Sequence, residues 1–177
     1  MTRSTRYARL RVYPRVTERN RRMKCIVIAS DHAGFSLKEK LKPYLERKGL
    51  KIKDLGTSSK ERCDYPNFAY VLAKEISRRK FGRGILICKS GIGNSIVANR
   101  LPGVRAALCY NVKAARLSRR HNDSNVLVLG SSFVNASLAR RIVGIWLGTK
   151  FQGGRHRRRL NQIKDIEKEI RIRSWKK

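Results

Sequence analysis

Short apolar runs that alternate with segments of helical spacing constrain the fold of this chain more than any other feature of its sequence. The runs at 25–29 and 85–88 are apolar throughout, which is typical of strands covered on both faces. Between them, apolar residues first recur at helical spacing, at Phe35, Leu37, Leu41, Tyr44 and Leu45. Strands of this kind, separated by helices, predict an α/β fold in which helices cover both faces of a parallel sheet.

Turn and capping residues set the limits of these elements. Gly49 ends the first helix, while Asp64 and Pro66 suit the start of the second. We expect strands at 24–29, 50–54, 84–88, 104–109 and 125–129. We expect helices at 35–48, from Asp64 to about 79, from the Gly91 turn to about 100, and at 112–120, 134–147 and 155–172. The last helix carries apolar residues on one face, which predicts that it docks on the domain: Leu160, Ile163, Ile166 and Ile170.

The first 22 residues differ from the rest of the chain, since they hold eight arginines, one acid and no amphipathic period. Met23 follows them and opens directly onto the first strand, so it is a candidate initiator. We therefore separate a basic extension, 1–22, from a domain at 23–177. The extension is interpreted as an over-extended start, as an RNA-binding arm, or as an arginine-rich organelle transit peptide.

The balance of charge limits the partners of the chain. Lys and Arg number 43 against 12 Asp and Glu, a formal net charge of +31. A surface this basic attracts polyanions such as nucleic acid or phosphorylated metabolites. The basic residues are not interleaved with aromatic ones into a stacking surface, so nucleic acid is the less favoured partner. The alternative is a compositional bias that serves no specific polyanion.

Further features of the sequence concern the compartment. No run of about 18 apolar residues exists, which argues against a membrane span, and no secretory signal precedes the first strand. The four cysteines show no Cys-x-x-Cys spacing, so we expect reduced thiols rather than disulfides or zinc ligands. The expected location is the cytoplasm, or an organelle if the extension is a transit peptide.

Open parallel sheets bind ligands beyond the carboxyl ends of their strands, so the residues that follow the strands are candidate site residues. The first strand leads into 30–34, with Asp31 and His32, and the third leads into 88–95. We place the turn ahead of the fifth strand, with His121, in the same group. Taken alone, Asp31 and His32 are as well explained by a helix cap and a surface histidine, and His121 by a structural or solvated role.

The segment after the third strand is the most informative. Cys88 ends the strand, and a Gly91-x-Gly93 turn leads into a helix, so the thiol faces free N–H groups and the positive helix terminus. That setting predicts a lowered pKa for the thiol and donors for a developing oxyanion. The Lys89-Ser90 pair precedes the glycines, so the segment is not a P-loop, and it lacks the third glycine of a dinucleotide fingerprint. Without this context, the simpler interpretation of Cys88 is a small buried residue.

Arg155 and Arg159 lie four residues apart in a basic stretch at 153–159. The spacing puts both on one helix face, where two guanidinium groups suit a phosphate. The alternative is a solvated basic helix face.

Five segments together resemble the type B ribose-5-phosphate isomerases. They are SDHAGFSLKEKL (30–41), DYPNFA (64–69), ILICKSGIGNSIVANRLPGVRAALC (85–109), ARLSRRHNDSNVLVLGS (115–131) and WLGTKFQGGRHRRR (146–159). The similarity runs in order over 23–170. It implies a Rossmann-like three-layer α/β/α sandwich with a five-stranded parallel sheet and a C-terminal docking helix. It also implies a homodimer, or a dimer of dimers, in which two subunits build each active site.

The resemblance further implies a reaction, the interconversion of ribose 5-phosphate and ribulose 5-phosphate in the pentose phosphate pathway. The reaction passes through an enediolate and uses no metal or cofactor. By position, Cys88 is the base that moves a proton between C1 and C2, and Ser90 assists it. His121 opens the furanose ring, with Asn122 beside it. The implied substrate contacts are Asp31, His32 and Tyr65, the amides of Lys89, Gly91, Ile92 and Gly93 for the enediolate, and Arg155 and Arg159 for the phosphate.

Two positions depart from the pattern of these isomerases. Lys89 stands where they have glycine, and Ser132 stands where many have a phosphate-binding arginine, for which Arg140 or Arg141 would have to compensate. Two alternative functions stay open, the first because the sequence does not give the size of the pocket and the second because of the +31 charge and the arginine-rich extension. One is a related isomerase for galactose 6-phosphate or allose 6-phosphate. The other is an isomerase fold repurposed as a basic RNA-binding or ribosome-associated protein.

Overall fold

The computed structural model describes residues 25–174, so the basic extension at 1–22 lies outside the described residues. Five strands alternate with six helices along this stretch. The strands are β1 (Cys25–Ser30), β2 (Lys51–Asp54), β3 (Gly84–Cys88), β4 (Ala106–Leu108) and β5 (Val126–Gly130). The helices are α1 (His32–Arg47), α2 (Tyr65–Ser77), α3 (Ile92–Ala98), α4 (Val112–Asn122), α5 (Ala136–Gly148) and α6 (Arg155–Ser174).

All five strands are parallel and lie in the order β2-β1-β3-β5-β4. The chain passes from β1 to β2 on one side and then returns to β3 on the other side. The carboxyl ends of β1 and β3 therefore form the topological switch point, where open α/β sheets bind ligands. Ser30 pairs with Ile87 in the register of these strands, so the next residues, Asp31 and Cys88, lie side by side at this edge.

Alternate residues of each strand point to opposite faces of the sheet, and each face buries its own core. One face joins α1, α4 and α5 through buried residues that include Ile28, Ile85, Leu127 and Trp146. The other face joins α2 and α3 through buried residues that include Val27, Leu86, Val128 and Leu72. Helices thus cover the sheet on both sides, and the expected three-layer α/β/α sandwich is confirmed.

Local capping explains where the first helix begins and ends. Helix α1 begins at His32 rather than near 35 because the Asp31 carboxylate accepts a hydrogen bond from Gly34 N at 2.9 Å. Gly49, with a φ of +76°, follows its end as expected. Asp64 also precedes α2 as expected, but its side chain makes no capping hydrogen bond.

Helix α6 forms where the sequence predicts it but is buried over only part of its length. Leu160 is buried, whereas Ile163, Ile166 and Ile170 are exposed. The helix docks on the domain through Leu160, while the last three apolar residues stay open, because a helical stripe does not show which surface covers it. Glu167 ties the helix to the body by accepting a hydrogen bond from Gly103 N at 3.1 Å. No helix of the described residues is long and apolar enough to cross a membrane.

Candidate active site

A group of the predicted site residues, which we name the carboxyl-edge cluster, lies beyond the switch point. It comprises Asp31 and His32 after β1, Tyr65 at the start of α2, and Cys88 with the turn 89–93 after β3. These residues are far apart in sequence and meet because β1 and β3 are adjacent and parallel. This half of the predicted site is therefore assembled by the sheet itself.

The Cys88 thiol is 4% exposed, and its sulfur accepts a hydrogen bond from Gly91 N at 3.1 Å. Burial raises the pKa of this thiol and outweighs the hydrogen bonds from the Gly91, Asn94 and Ser90 amides, which favour the thiolate. The nearby Asp31 carboxylate acts in the same direction as burial. The predicted lowering of the Cys88 pKa is therefore wrong for a single chain. The amide donors are present, but the sequence does not reveal how little water reaches the end of the strand.

Two glycines shape the turn after Cys88. Gly91 adopts a left-handed φ of +83°, and a Cβ at this position would meet the Leu108 side chain at 2.4 Å. A Cβ at Gly93 would lie 2.4 to 2.6 Å from atoms of the Tyr65 ring. The Tyr65 ring therefore packs directly on the turn, which explains why both positions need glycine.

The lysine at position 89 fits the turn without strain. The backbone of Lys89 does not adopt a left-handed conformation, and its side chain is exposed. Its carbonyl accepts a hydrogen bond from Ser132 N at 3.0 Å. The two positions that depart from the isomerase pattern are thus neighbours in space, and neither disturbs the path of the turn.

Ser90 and His32 are both held by contacts with the backbone. The Ser90 hydroxyl accepts a hydrogen bond from Ile92 N at 3.3 Å. Nδ1 of His32 lies 3.2 Å from both the backbone N and the backbone O of Cys63. These contacts orient the His32 ring and leave Nε2 as the nitrogen available to a ligand.

His121 and Asn122 do not join the carboxyl-edge cluster. They end α4, which starts beyond β4 at the carboxyl edge and returns to the start of β5 at the amino edge. Their assignment to the carboxyl ends of the strands is therefore wrong, because in a parallel sheet the turn ahead of a strand lies at the opposite edge. The five residues of β5 each rise about 3.3 Å, so the two edges are roughly 15 Å apart.

The remaining predicted residues, His121, Asn122, Arg155 and Arg159, form a second group together with His156, and we name it the amino-edge cluster. The His121 and His156 rings stack with their centroids 4.2 Å apart and their planes at 7°. Arg155 and Arg159 lie one turn apart on α6 and are exposed. Among residues 25–170, no acid forms an ion pair with either arginine. One chain therefore carries the predicted site residues as two separate clusters.

A cavity of about 1060 Å³ opens at the amino edge, and no residue of either cluster lines it. Two of its arginines already bind backbone carbonyls: Arg83 Nη1 donates to Leu147 O at 2.7 Å and Arg119 Nη1 to Ser124 O at 2.6 Å. These contacts satisfy carbonyls at this edge of the sheet, which is a structural role. Nor does the described part of the chain group three His, Cys, Asp or Glu side chains in a way that could hold a metal ion.

Tyr110 and His156 were not predicted from the sequence as members or neighbours of these clusters, whereas Asn94 lies in the candidate segment 88–95. Asn94 is 1% exposed beside Cys88, and the Tyr110 hydroxyl donates to the Ser90 carbonyl at 3.0 Å. His156 counted only as part of a basic stretch. Tyr110 follows a strand end, which is a usable signal, but the stack of His156 on His121 depends on how two helices approach each other.

Comparison with known proteins identifies the class of protein that has this fold and these clusters. The family described as ribose/galactose isomerase matches residues 26–163, so the chain belongs to that family. Ribose-5-phosphate isomerase B of Escherichia coli (strain K12) is 45% identical over 145 residues, which are 82% of this chain and 97% of that protein.

Solved structures agree with this assignment. Ribose-5-phosphate isomerase B of Clostridium thermocellum superposes with a TM-score of 0.81 at 45% identity, covering 82% of this chain and 99% of that one. The Mycoplasma genitalium isomerase, solved with bound ribulose 5-phosphate, gives 0.79 at 41% identity, covering 82% of this chain and 97% of that one. The family resemblance and the fold expected from it are thereby confirmed.

Proposed function

We propose that this chain is a ribose-5-phosphate isomerase that interconverts ribose 5-phosphate and ribulose 5-phosphate through an enediolate. The observation that carries the proposal is the position of Cys88, at the switch point of a ribose/galactose isomerase fold with amide donors around its sulfur. Relatives at 45% and 41% identity are named for this activity, and one of them was solved with ribulose 5-phosphate bound.

The carboxyl-edge cluster suits the proton transfer. A base removes the proton from C2 of the open-chain aldose, and the electron pair forms the C1–C2 double bond of an enediolate. Return of the proton to C1, with movement of a hydroxyl proton from O2 to O1, gives the ketose. Cys88 as thiolate is the base, and Ser90 lies beside it. The amides of 89–93 stabilise the enediolate oxygens, while Asp31, His32 and Tyr65 hold the sugar.

The amino-edge cluster suits ring opening and phosphate binding. His121 takes the proton from the O1 hydroxyl of the furanose and delivers one to O4 as the C1–O4 bond breaks, with Asn122 beside it. Arg155 and Arg159 bind the phosphate, since charge-assisted hydrogen bonds to phosphate are strong. The lack of ion pairs to either arginine within the described residues supports this role, because both charges are available to a ligand.

We further propose that a second copy of the chain completes each site, because one chain holds the two clusters at opposite edges of its sheet. Exposed apolar patches mark interaction surfaces, and several apolar residues are left open. They are Tyr70, Val71, Ile92, Ile96, Tyr110 and Phe133 on the body, with Ile163, Ile166 and Ile170 on α6. Cations of a second copy close to Cys88 would favour its thiolate and offset the effect of burial.

An isomerisation assay on the purified full chain tests this proposal. Ribose 5-phosphate, galactose 6-phosphate and allose 6-phosphate are compared by kcat/KM, and RNA binding is measured at physiological salt. We expect ribose 5-phosphate to be the best substrate. Preference for a hexose 6-phosphate would point to the related hexose isomerases, and tight RNA binding without turnover to a repurposed fold.

Mixing two impaired variants tests the shared site. Cys88→Ala removes the base at the carboxyl edge, and Arg159→Ala removes a phosphate contact from the amino edge. A charge-assisted contact contributes about 1.5–3 kcal/mol, so Arg159→Ala raises KM and is nearly inactive at low substrate. In a hybrid dimer one of the two sites keeps both clusters intact. We expect the mixture to recover about a quarter of the wild-type rate, since random pairing makes half of the dimers hybrids.

The matched control mixes Cys88→Ala with the Cys88→Ala, Arg159→Ala double variant, which supplies no intact carboxyl-edge cluster. This mixture should stay inactive. Differently tagged copies report subunit exchange in both mixtures. Exchange without any gain of activity in the first mixture would show that each site lies within one chain.

A further inference from the structure

The stack of two imidazole rings in the amino-edge cluster is a feature that ring opening by His121 alone does not require. The planes of His121 and His156 are nearly parallel, at 7°, and their centroids are 4.2 Å apart. His156 is 5% exposed, and its Nε2 has no hydrogen-bond partner among the described residues. The His156 ring therefore contacts the His121 ring face to face. Nε2 of His156 makes no hydrogen bond with any described residue.

The backbone around His156 is arranged so that its ring reaches the end of α4. Gly153 and Gly154 both adopt positive φ, at +74° and +53°, and turn the chain sharply into α6. The segment ahead of them is held to α4, because Gln152 N donates to Arg120 O at 2.9 Å. Contacts within the same chain therefore fix the position of the His156 ring, and no bound substrate is needed for this.

The surroundings of the stack favour the neutral form of the His156 ring, because they lower its pKa. Burial lowers the pKa of this ring, and the adjacent His121 acts in the same direction. The other charged groups that face the stack are all cations and lower it further: Arg155 and Arg159 from α6 and Arg120 from α4. A protonated His156 would lie against His121 without a carboxylate to compensate it among the described residues.

We infer that His156 is a positioning residue, whose stacked ring fixes the plane of the His121 imidazole so that His121 can exchange protons with O1 and O4 of the furanose. This inference rests on the proposed isomerase function. A misplacement of about 1 Å costs a catalytic group up to about 10²-fold in rate. A flat ring on one face of His121 prevents its rotation about the Cβ–Cγ bond, while its edge stays free for the substrate.

Two substitutions and two directions of the reaction test the inference. His156→Ala removes the platform, whereas His156→Phe keeps a flat ring but no nitrogens. Ribulose 5-phosphate cannot close a furanose ring, because its C5 oxygen carries the phosphate, so its conversion needs no ring opening. We expect His156→Ala to lower kcat from ribose 5-phosphate at least about tenfold and to affect the reverse direction much less. His156→Phe should restore the forward rate to near wild type.

Controls separate positioning from folding. Arg157→Gln changes the next residue of α6, whose guanidinium lies over Phe151 at 4.8 Å, and should change neither direction. In a His121→Ala background, His156→Ala should have no further effect on the forward rate, because residues that act as a unit are not additive. Melting temperatures of all variants report the fold.

Three results would overturn the inference: equal losses in both directions for His156→Ala, failure of His156→Phe to rescue, or full additivity with His121→Ala. If His156→Ala does not fold, the His156→Phe variant still decides the question, since loss of its forward rate alone would overturn the inference. An inactive wild-type chain would instead overturn the proposed isomerase function, so the two failures are distinguishable.

Discussion

We expect Cys88→Ala to lower isomerisation of ribose 5-phosphate at least about 10²-fold, which is the scale of losing a general base. The substitution removes the sulfur that accepts the Gly91 N–H but leaves β3 and its packing in place. The loss should therefore appear in kcat rather than in the melting temperature. Initial rates in both directions measure it, because proton transfer between C1 and C2 is common to both.

Cys109→Ala is the matched control for this prediction. Cys109 is also a buried cysteine beyond a strand end, with burial raising its pKa to about 11, but no glycine turn follows it. This variant should keep its activity even if it loses some stability. A Cys88→Ala protein that remains within a few-fold of wild type would remove Cys88 from the mechanism.

We expect His121→Ala to lower the rate from ribose 5-phosphate about 10²-fold or more, and the rate from ribulose 5-phosphate far less. Without His121 the enzyme depends on the small open-chain fraction of ribose 5-phosphate that forms in solution. In the reverse direction the ketose is already open, and the aldose product closes its ring after release. Comparison of kcat at saturating substrate in the two directions measures this asymmetry, because the equilibrium constant fixes the ratio of the two kcat/KM values for every variant.

Arg116→Ala is the control, since Arg116 is an exposed cation on the same helix, more than one turn before His121. It should leave both directions unchanged. Equal losses in both directions for His121→Ala would assign His121 to the proton transfer instead of to ring opening.

The layered fold could be predicted from the sequence because strands buried on both faces leave uninterrupted apolar runs, which few other structures produce. The carboxyl-edge cluster could be predicted for a related reason, since Cys88 follows such a run and Gly91 marks the turn. The pKa of Cys88 could not, because it depends on how completely neighbouring elements exclude water from the end of β3. That exclusion is a property of tertiary packing, not of the segment itself.

The error over His121 concerns the two edges of the sheet. The turn that carries His121 precedes β5, and in a parallel sheet such a turn lies at the amino edge, so its closeness to a strand does not place it with Cys88. The open stripe of Ile163, Ile166 and Ile170 is a similar case. Helical spacing shows that one face of α6 is apolar, but it does not show whether the same chain covers that face.

Under the proposed pairing of two chains, the division of the site between two edges of one sheet makes turnover depend on the concentration of the chain. A lone chain holds two incomplete halves, so under the proposed pairing it contributes nothing to flux. At concentrations well below the dissociation constant of the pair, the rate falls with the square of the amount of protein, and specific activity declines on dilution. The level of expression would then set both how much of this enzyme a cell contains and what fraction of it is competent.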